Sequence, residues 1–297
     1  MIRPWRYIQN LIIILLVSDF QFLAFSQSDS LTQGSKKFTS KSDSICPIHS
    51  LYSGVGLGSN IIFLGSTISQ DKPFYSAAIT YGYKNNLYAS VSASHIIDIN
   101  PYLAFYSLSF NYSHAFNSWF DISSSIAGYK TPESLQEKLF NDFAFINVTT
   151  GFDWKFLYTK LSFGELFSDG TRGYIQIRNS RYFETSEFFK GKGQVSFDPN
   201  FNILLGDRVK IVTITGTTKY GSSVPFHHFN KKNSTTIKSY SHKFGLVDFE
   251  FSMPVTFSYN NFSVEAEPSY LFPAFTSTEY PSPKGFTFFL NAYFRIL

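Results

Sequence analysis

The sequence contains only one cysteine, Cys46, among 297 residues. One thiol cannot form a disulfide within the chain, and zinc sites built on pairs of cysteines are excluded as well. Charged residues are scarce at 15%, whereas about a quarter is usual in soluble domains. The net charge of +4 is small and its cations are scattered, so the sequence predicts no nucleic-acid-binding surface.

Long apolar runs are also lacking, except for one at the N-terminus. Arg3 and Arg6 precede the apolar segment 11–17, and small residues follow it. This order predicts a signal peptide at residues 1–26, whose apolar part is too short to span a bilayer. Residues 27–50 are rich in Ser, Lys, Thr and Gln and are predicted to be a disordered periplasmic tether.

The rest of the chain is dominated by an alternation of apolar and polar residues, with aromatic residues at 19%. In segment 262–272 every second residue is apolar, and Ser or Glu fills most of the positions between. Segments 106–112, 249–259 and 286–296 show the same period of two. This period is typical of a strand with one apolar and one polar face, and no helical period appears after the signal.

Twelve strands are predicted from this alternation, many of them near the roughly ten residues that cross a bilayer when tilted. Links after even-numbered strands are short and most links after odd-numbered strands are long, which is the asymmetry of bacterial outer-membrane barrels. Residues 51–297 are therefore predicted to form an all-β, antiparallel, up-and-down transmembrane β-barrel in the outer membrane of a Gram-negative bacterium. The predicted strands are 52–66, 74–84, 86–96, 102–116, 119–129, 142–154, 157–167, 172–184, 192–205, 243–259, 261–274 and 285–297, with a long extracellular loop at about 206–242.

A secreted β-sandwich would also alternate, but three features favour the barrel. The apolar parity is unbroken over roughly ten residues or more, whereas strands in globular proteins are most often about five or six residues long. The opposite parity is mostly Ser, Thr, Asn and Gly, which suits a narrow wet lumen. The final aromatic strand would close the barrel and remove sheet edges that a bilayer does not tolerate. Arg181 and Glu165 fall on the apolar parity and are predicted to lie near the rim or after a β-bulge.

Four stretches resemble a family of outer-membrane β-barrel proteins of the Bacteroidetes type. They are YSLSFNY at 106–112, VSFDPNF at 195–201, KFGLVDFEFSMP at 243–254 and FSVEAEPSY at 262–270. That family places a Ser/Thr/Lys-rich loop between the second and third stretches, and segment 206–242 matches this. The resemblance implies the same fold and location over about 51–297 and implies no particular activity.

Charged residues on the inward parity form the first candidate site. Its acidic members, on neighbouring predicted strands, are Asp198, Asp248, Glu250, Glu265 and Glu267. Its basic members are Lys160, Arg178 and Arg295. A structural network of acids and bases is the first interpretation, followed by a constriction that favours cations and then by catalysis or metal binding.

The predicted loop 206–242 is the second candidate site because it is basic. Asp207 is set there against six cations, Arg208, Lys210, Lys219, Lys231, Lys232 and Lys238. Such a loop either is simply solvated or contacts lipopolysaccharide phosphates or another polyanion. Its length exceeds that of ordinary structureless links.

No catalytic motif is recognisable in the sequence. Gly-x-Ser-x-Gly, Walker, dinucleotide, His-Glu-x-x-His and EF-hand patterns are absent, so we predict no enzyme activity, metal or cofactor. His114 faces outward by parity, and pairing with a serine of the next strand would resemble outer-membrane lipid hydrolases.

Three functions are consistent with these patterns. The preferred one is a small pore or a passive structural barrel with a polar, partly plugged lumen. The alternatives are surface adhesion or ligand binding through the basic loop, and hydrolysis of membrane lipids. The expected partners are outer-membrane lipids, lipopolysaccharide and the barrel assembly machinery, with a monomeric protein and no nucleic acid.

Overall fold

The computed structural model describes residues 48–136, 138–168, 170–189, 191–213, 218–222, 238–275 and 283–297. The predicted signal peptide and nearly all of the predicted tether lie outside these ranges. Within them lies one short helix, α1 (Glu133–Gln136), and no helix there is long and apolar enough to cross a lipid bilayer. The strands are β1 (His49–Gly58), β2 (Ile62–Phe63), β3 (Ser66–Thr67), β4 (Phe74–Tyr83), β5 (Leu87–Ile96), β6 (Phe105–Ala115), β7 (Phe120–Lys130), β8 (Phe143–Asp153), β9 (Tyr158–Phe167), β10 (Thr171–Ser180), β11 (Phe183–Glu184), β12 (Gly193–Phe197), β13 (Asn200–Thr213), β14 (Thr218–Ser222), β15 (Lys238–Ser252), β16 (Val255–Tyr259), β17 (Phe262–Pro273) and β18 (Gly285–Arg295).

The strands form a closed antiparallel barrel of 12 strands, as predicted. Strands β4 to β10 pair in chain order, and β10 is followed around the wall by β13, β15, β17 and β18. β1 closes the ring because it pairs with β4 on one side and with β18 on the other. β12 and β13 together form one wall strand, and β15 and β16 together form the next, because β12 pairs with β16 just as β13 pairs with β15.

Two prolines interrupt neighbouring wall strands at the same level. Pro199 separates β12 from β13, and Pro254 separates β15 from β16. Proline has no backbone N–H to donate to the sheet, so the ladder is broken there. The register nevertheless continues across the interruption, since Phe197 pairs with Val255 and Asn200 pairs with Ser252. The ladder therefore resumes in the same register beyond the two prolines, and the wall has no gap there.

Side chains alternate between the outside and the lumen along each wall strand. In β4 the outward Tyr75, Ile79 and Tyr81 are exposed, whereas the inward Ser76 and Thr80 are buried. The same alternation recurs in β6 and β17. The outer surface is therefore apolar and the lumen is lined mainly by polar side chains.

Inward glycines make room for inward aromatic rings on the next strand. Gly82 on β4 is the partner of Tyr88 on β5, and a Cβ added to Gly82 would lie 2.8 Å from the Tyr88 ring. Gly54 on β1 and Tyr293 on β18 repeat the arrangement at 2.9 Å. Aromatic side chains that cover glycines in this way help to fix strand register.

The structure corrects two predicted boundaries. The first wall strand is β1, which ends at Gly58; the rest of predicted strand 52–66 leaves the wall, and Ile62 to Thr67 form the hairpin β2–β3. Part of predicted loop 206–242 is strand, because β13 continues to Thr213 and pairs with β14 and β15. Residues 208–211 still alternate, which agrees with the longer strand, whereas Ile61 to Leu64 are four consecutive apolar residues that break the alternation after Gly58.

The two charged residues on the apolar parity lie near strand ends. Arg181 directly follows β10, is exposed, and donates a hydrogen bond to the carbonyl oxygen of Lys155 in the turn between β8 and β9. Glu165 is exposed near the other end of β9. Both positions agree with the prediction that these charges avoid the middle of the apolar surface.

We predict that Gly82→Val destabilises the barrel by about 1–3 kcal/mol, because the new side chain would collide with Tyr88 and Ser50. Gly128→Val is the matched control, since nothing lies within 4 Å of a Cβ built at Gly128. Denaturant titration in lipid vesicles measures the free energy of unfolding of both variants. Equal stabilities would contradict this packing role for Gly82.

Candidate functional site

Residues 59–73, the link between β1 and β4, fold back into the lumen and block one end of it. We call these residues the hairpin plug. Phe63 in β2 is 0% exposed. Its ring packs against those of Tyr129, Phe143 and Phe145, with centroids 5.2 to 5.7 Å apart. These three rings point inward near the end of the barrel that carries the long links, which we call the loop end. The hairpin plug therefore fills the loop-end half of the lumen with apolar side chains.

The hairpin plug keeps its shape through its own hydrogen bonds, which centre on Asn60. Thr67 Oγ1 and Ser69 Oγ donate to Asn60 Oδ1 at 2.6 and 2.7 Å. Asn60 Nδ2 in turn donates to Asp71 Oδ1 at 2.6 Å. One buried amide thus joins the two ends of the plug, on either side of the hairpin.

A second link, residues 131–142, packs against the same apolar cluster. Leu135 in α1, Leu139 and Phe140 are buried there. The Phe140 ring lies 5.3 Å from the ring of Phe143, which also contacts the plug. Gln70 Nε2 of the plug donates a hydrogen bond to the backbone oxygen of Lys138 in this link. Two links therefore combine to seal the loop end.

A small cavity of about 10 Å³ lies beneath the plug. Its apolar lining comes from Leu64, Phe145 and Leu204, and its polar lining includes Ser162 and Gln176. The cavity therefore marks the boundary between the apolar and polar parts of the lumen.

Below this boundary the structure brings the predicted acidic residues together on adjacent wall strands. The carboxylates of Asp248 and Glu250 project from β15, those of Glu265 and Glu267 project from β17, and all four are buried. Glu267 is 0% exposed. Asp198, between β12 and β13, faces the same space and is buried as well.

Arg178 is the basic residue at the centre of this cluster. Its Nη2 atom lies 3.5 Å from Asp198 Oδ2, and the side chain is 2% exposed. The guanidinium also interacts electrostatically with Glu265 and Glu267. Lys160, its partner in the adjacent strand β9, is buried beside it. Arg178 is thus one cation shared among several carboxylates.

Neutral side chains donate hydrogen bonds to two of the carboxylates. Asn202 Nδ2 donates to Glu250 Oε2 at 3.2 Å, and Thr256 Oγ1 donates to Glu265 Oε2 at 3.0 Å. Each donor lies directly across the ladder from its acceptor. The strand register therefore sets both contacts.

Asp121 is a buried lumen carboxylate that the predicted cluster did not include. Tyr158 Oη donates to Asp121 Oδ1 and Oδ2 at 2.9 and 2.8 Å. Lys160 Nζ lies 5.5 Å from the centroid of the Tyr158 ring. Asp121 falls on the inward parity of β7, so the same alternation that predicted the other acids was a sufficient signal for it.

The wall formed by β4 to β9 is lined by small hydroxyl and amide side chains, in contrast to the charged wall. Many of them bond in pairs across neighbouring strands. These pairs are Thr80 with Ser90, Ser92 with Ser107, Ser125 with Asn147, and Thr149 with Ser162. Asp121 on β7 and Lys160 on β9 are the buried charges of this wall, and most of the lumen charge lies on the wall from β10 to β17.

Arg295, the third predicted base, lies apart from the acidic cluster at the turn end, the end opposite the loop end. Its Nε atom donates to the carbonyl oxygen of Leu297 at 2.7 Å. Tyr52 is its partner across the β1–β18 ladder. Arg295 is therefore tied to the C-terminus and not to the carboxylates of Glu265 and Glu267.

Most of the predicted basic loop lies outside the residues whose side chains are described. Lys231 and Lys232 are in the undescribed segment 223–237, and Lys210, Lys219 and Lys238 are described only as backbone in strands. The guanidinium carbon of Arg208 lies 6.0 Å from the centroid of the Phe275 ring. On the neighbouring strand, His242 Nδ1 lies 2.6 Å from Asp207 Oδ2. Asp207 Oδ2 also lies 3.8 Å from Arg172 Nε.

His114 has surroundings that differ from a hydrolase site. Its ring meets the Phe116 ring edge-on at 4.7 Å, and its partner across the ladder is Ile122. Within the described ranges no serine is hydrogen-bonded to His114, and no three His, Cys, Asp or Glu side chains are grouped to hold a metal ion.

Solved structures with a similar arrangement of strands are distant in sequence. LpxR from Salmonella typhimurium has 7% identity and a TM-score of 0.46, covering 82% of this chain and 99% of its own. An outer-membrane channel from Pseudomonas putida F1 has 6% identity and a TM-score of 0.42, covering 87% and 100%. Omp33, an outer-membrane protein of Acinetobacter baumannii, has 11% identity and a TM-score of 0.35, covering 84% and 100%. No family model and no curated protein sequence matches the chain.

We predict that Arg178→Met lowers the free energy of unfolding by about 3–5 kcal/mol, because the buried Asp198 carboxylate loses its ionic contact. Adding Asp198→Asn should restore part of that loss, since the carboxylate charge is then removed too. Arg181→Met at the exposed rim is the control and should change stability by about 0.5 kcal/mol or less. Denaturant titration of the four proteins, with wild type included, measures these differences. A double variant as unstable as Arg178→Met would contradict the pairing.

Proposed function

We propose that this chain is an integral outer-membrane barrel that forms a small pore favouring cations, closed in the conformation described above. The excess of buried carboxylates in the lumen carries the proposal. Among the described residues, the buried charged side chains are six acids (Asp121, Asp198, Asp248, Glu250, Glu265 and Glu267) and three bases (Lys160, Arg178 and Arg295). Carboxylates that line a narrow lumen attract cations and repel anions.

The outer surface supports a location in a membrane. Large apolar side chains are exposed in register on neighbouring strands; Val91, for example, lies between its partners Ile79 and Leu108. Val91 is 56% exposed. A continuous apolar face of this kind on a protein in water would be an aggregation or interaction surface. Lipid hydrocarbon around the barrel would cover this face and remove its contact with water.

The height of this apolar surface suits an outer membrane. Strands β4 to β10 have 10 or 11 residues each. At about 3.3 Å per residue and a tilt of about 40°, such strands span about 25 Å, the height of the apolar band of outer-membrane barrels. Trp119 and Trp154 are exposed in short turns at the turn end, where aromatic residues meet the membrane interface.

The orientation follows from the lengths of the links. Bacterial barrels have short periplasmic turns and longer extracellular loops. The loop end, with the hairpin plug, is therefore assigned to the cell exterior and the turn end to the periplasm. The plug fills the loop-end half of the lumen and the network of buried carboxylates fills the other half, so we propose that the pore is closed in this conformation.

The proposal keeps five predictions from the sequence. They are membership of the Bacteroidetes-type family, contact with lipopolysaccharide, use of the assembly machinery, a monomeric state and the absence of enzyme activity. Adhesion through the basic loop depends largely on residues outside the described ranges. The hydrolase alternative gains no support from the surroundings of His114.

We predict that Val91→Arg lowers the free energy of unfolding in lipid vesicles by about 2–4 kcal/mol, because it places a charge in the middle of the lipid-facing surface. Phe156→Arg, in the turn between β8 and β9, is the control and should cost about 1 kcal/mol or less. Urea titration in short-chain phosphatidylcholine vesicles gives both values. Equal effects of the two substitutions would contradict the membrane location.

We predict that the double variant Glu265→Gln and Glu267→Gln weakens the preference for cations, because two acidic side chains of the lumen are replaced by neutral amides. The measurement is the reversal potential of single openings in a planar bilayer under a potassium chloride gradient. It should move towards zero. Glu165→Gln, on the exposed outer face, is the matched control and should leave it unchanged. Anion preference in the wild-type protein would exclude the proposal.

A further inference from the structure

We infer that the hairpin plug is a gate that leaves the lumen as a unit and uncovers Asp248 to cations from the loop end. The effect of the gate on conduction rests on the proposed pore. Movement of the plug does not, and it is measured separately by cysteine labelling.

The first argument is that the plug is a self-contained unit. The Asn60 amide joins its two ends through Thr67, Ser69 and Asp71. A backbone hydrogen bond from Ile68 N to Ile61 O, at 2.7 Å, closes the base of the hairpin. All of these bonds lie within the plug and would persist if it moved. Undocking therefore leaves the fold of the segment intact.

The second argument is that the hairpin part of the plug, residues 61–68, meets the wall through apolar rings. Polar contacts between the plug and other segments lie near its two ends, where Ser59 bonds to Phe288 and Gln70 bonds to Lys138. Phe63 contacts Tyr129, Phe143 and Phe145. These contacts are short-ranged and without strict direction, so they are lost together when the ring withdraws. The strand ladders of the wall do not include the plug, since β2 and β3 form a sheet of their own. The barrel can therefore remain closed while the plug moves.

The third argument concerns Gly65 at the tip of the hairpin. Leu64 and Gly65 form its two-residue turn, with φ of 49° and 74°. Such turns favour glycine because both positions have positive φ. A Cβ added to Gly65 would lie 2.3 Å from Val247 Cγ1 and 2.8 Å from Asp248 Oδ2. The tip thus rests directly on the acidic wall, and only a residue without a side chain fits there.

The contact with Asp248 connects the gate to the acidic lumen. Asp248 is the uppermost of the β15 carboxylates, next to the β-bulge where the register shifts between Leu204 and Leu205. Glu250 follows on the same face, and Glu267 lies on the neighbouring strand β17. Withdrawal of the tip would expose the first of a row of carboxylates. A cation entering from the loop end would meet Asp248 first.

The test uses the full-length protein with Gly65→Val, whose added side chain should prevent docking of the tip. Gly285→Val is the matched control: Gly285 also has a positive φ, 102°, but nothing lies within 4 Å of a Cβ built there. Phe63→Ala is a second variant that weakens docking without changing the turn. Heat-shifted mobility in detergent verifies that each variant forms a closed barrel.

Two readouts separate the gate from the pore. In a Cys46→Ser background, Ser66→Cys reports on the plug because Ser66 is buried beside the tip. We expect a charged maleimide to label Ser66→Cys about tenfold faster in the Gly65→Val and Phe63→Ala proteins than in the Gly285→Val protein. The frequency of openings in a planar bilayer should rise in the same two variants.

Each outcome decides one of the two ideas. Faster labelling without conductance would support the gate and exclude the proposed pore. Cation-selective openings that are equally frequent in all variants, with unchanged labelling, would support the pore and overturn the gate. Faster labelling in Gly285→Val as well would also overturn the gate, because strain in any turn would then have the same effect.

Discussion

The pairing of β1 with β18 is the interaction on which the rest of the structure depends. It runs from Tyr52 opposite Arg295 to Gly58 opposite Phe289, and it joins the first and last strands of the wall. Without it, two strands would expose unpaired backbone N–H and C=O groups, which hydrocarbon cannot satisfy. Closure also fixes which parity faces outward. The apolar surface and the polar lumen both follow from this one ladder.

A barrel of twelve strands encloses interior space that its lumen residues must fill. Twelve strands enclose more space than eight, and eight already suffice for the wall side chains to fill the interior. In this barrel the remaining space is occupied in two ways. The hairpin plug fills the loop end with Phe63 and its neighbours, and the charged network around Arg178 fills the region below. The candidate site is therefore formed by the same residues that complete the packing.

Parity was enough to predict much of the candidate site from sequence. Glu250, Glu267 and Arg178 were placed inward by counting alternate residues, and the structure places them in the lumen. Asp121 was missed although the same count applies to it. Parity could not show that Arg295 would bind the C-terminal carbonyl of Leu297, since neighbours around a barrel depend on the shear between strands.

The sequence by itself determined the twelve wall strands and the face that most of their side chains take, because alternation is a local property of the extended backbone. Only the tertiary structure decided where the first link goes. Segment 59–66 was predicted to continue the first wall strand, but Phe63 turns into the lumen and packs against rings of β7 and β8. Such contacts join residues far apart in the chain and are selected by the space that closure leaves. For that reason the sequence of segment 59–73 did not by itself reveal that this segment closes the lumen.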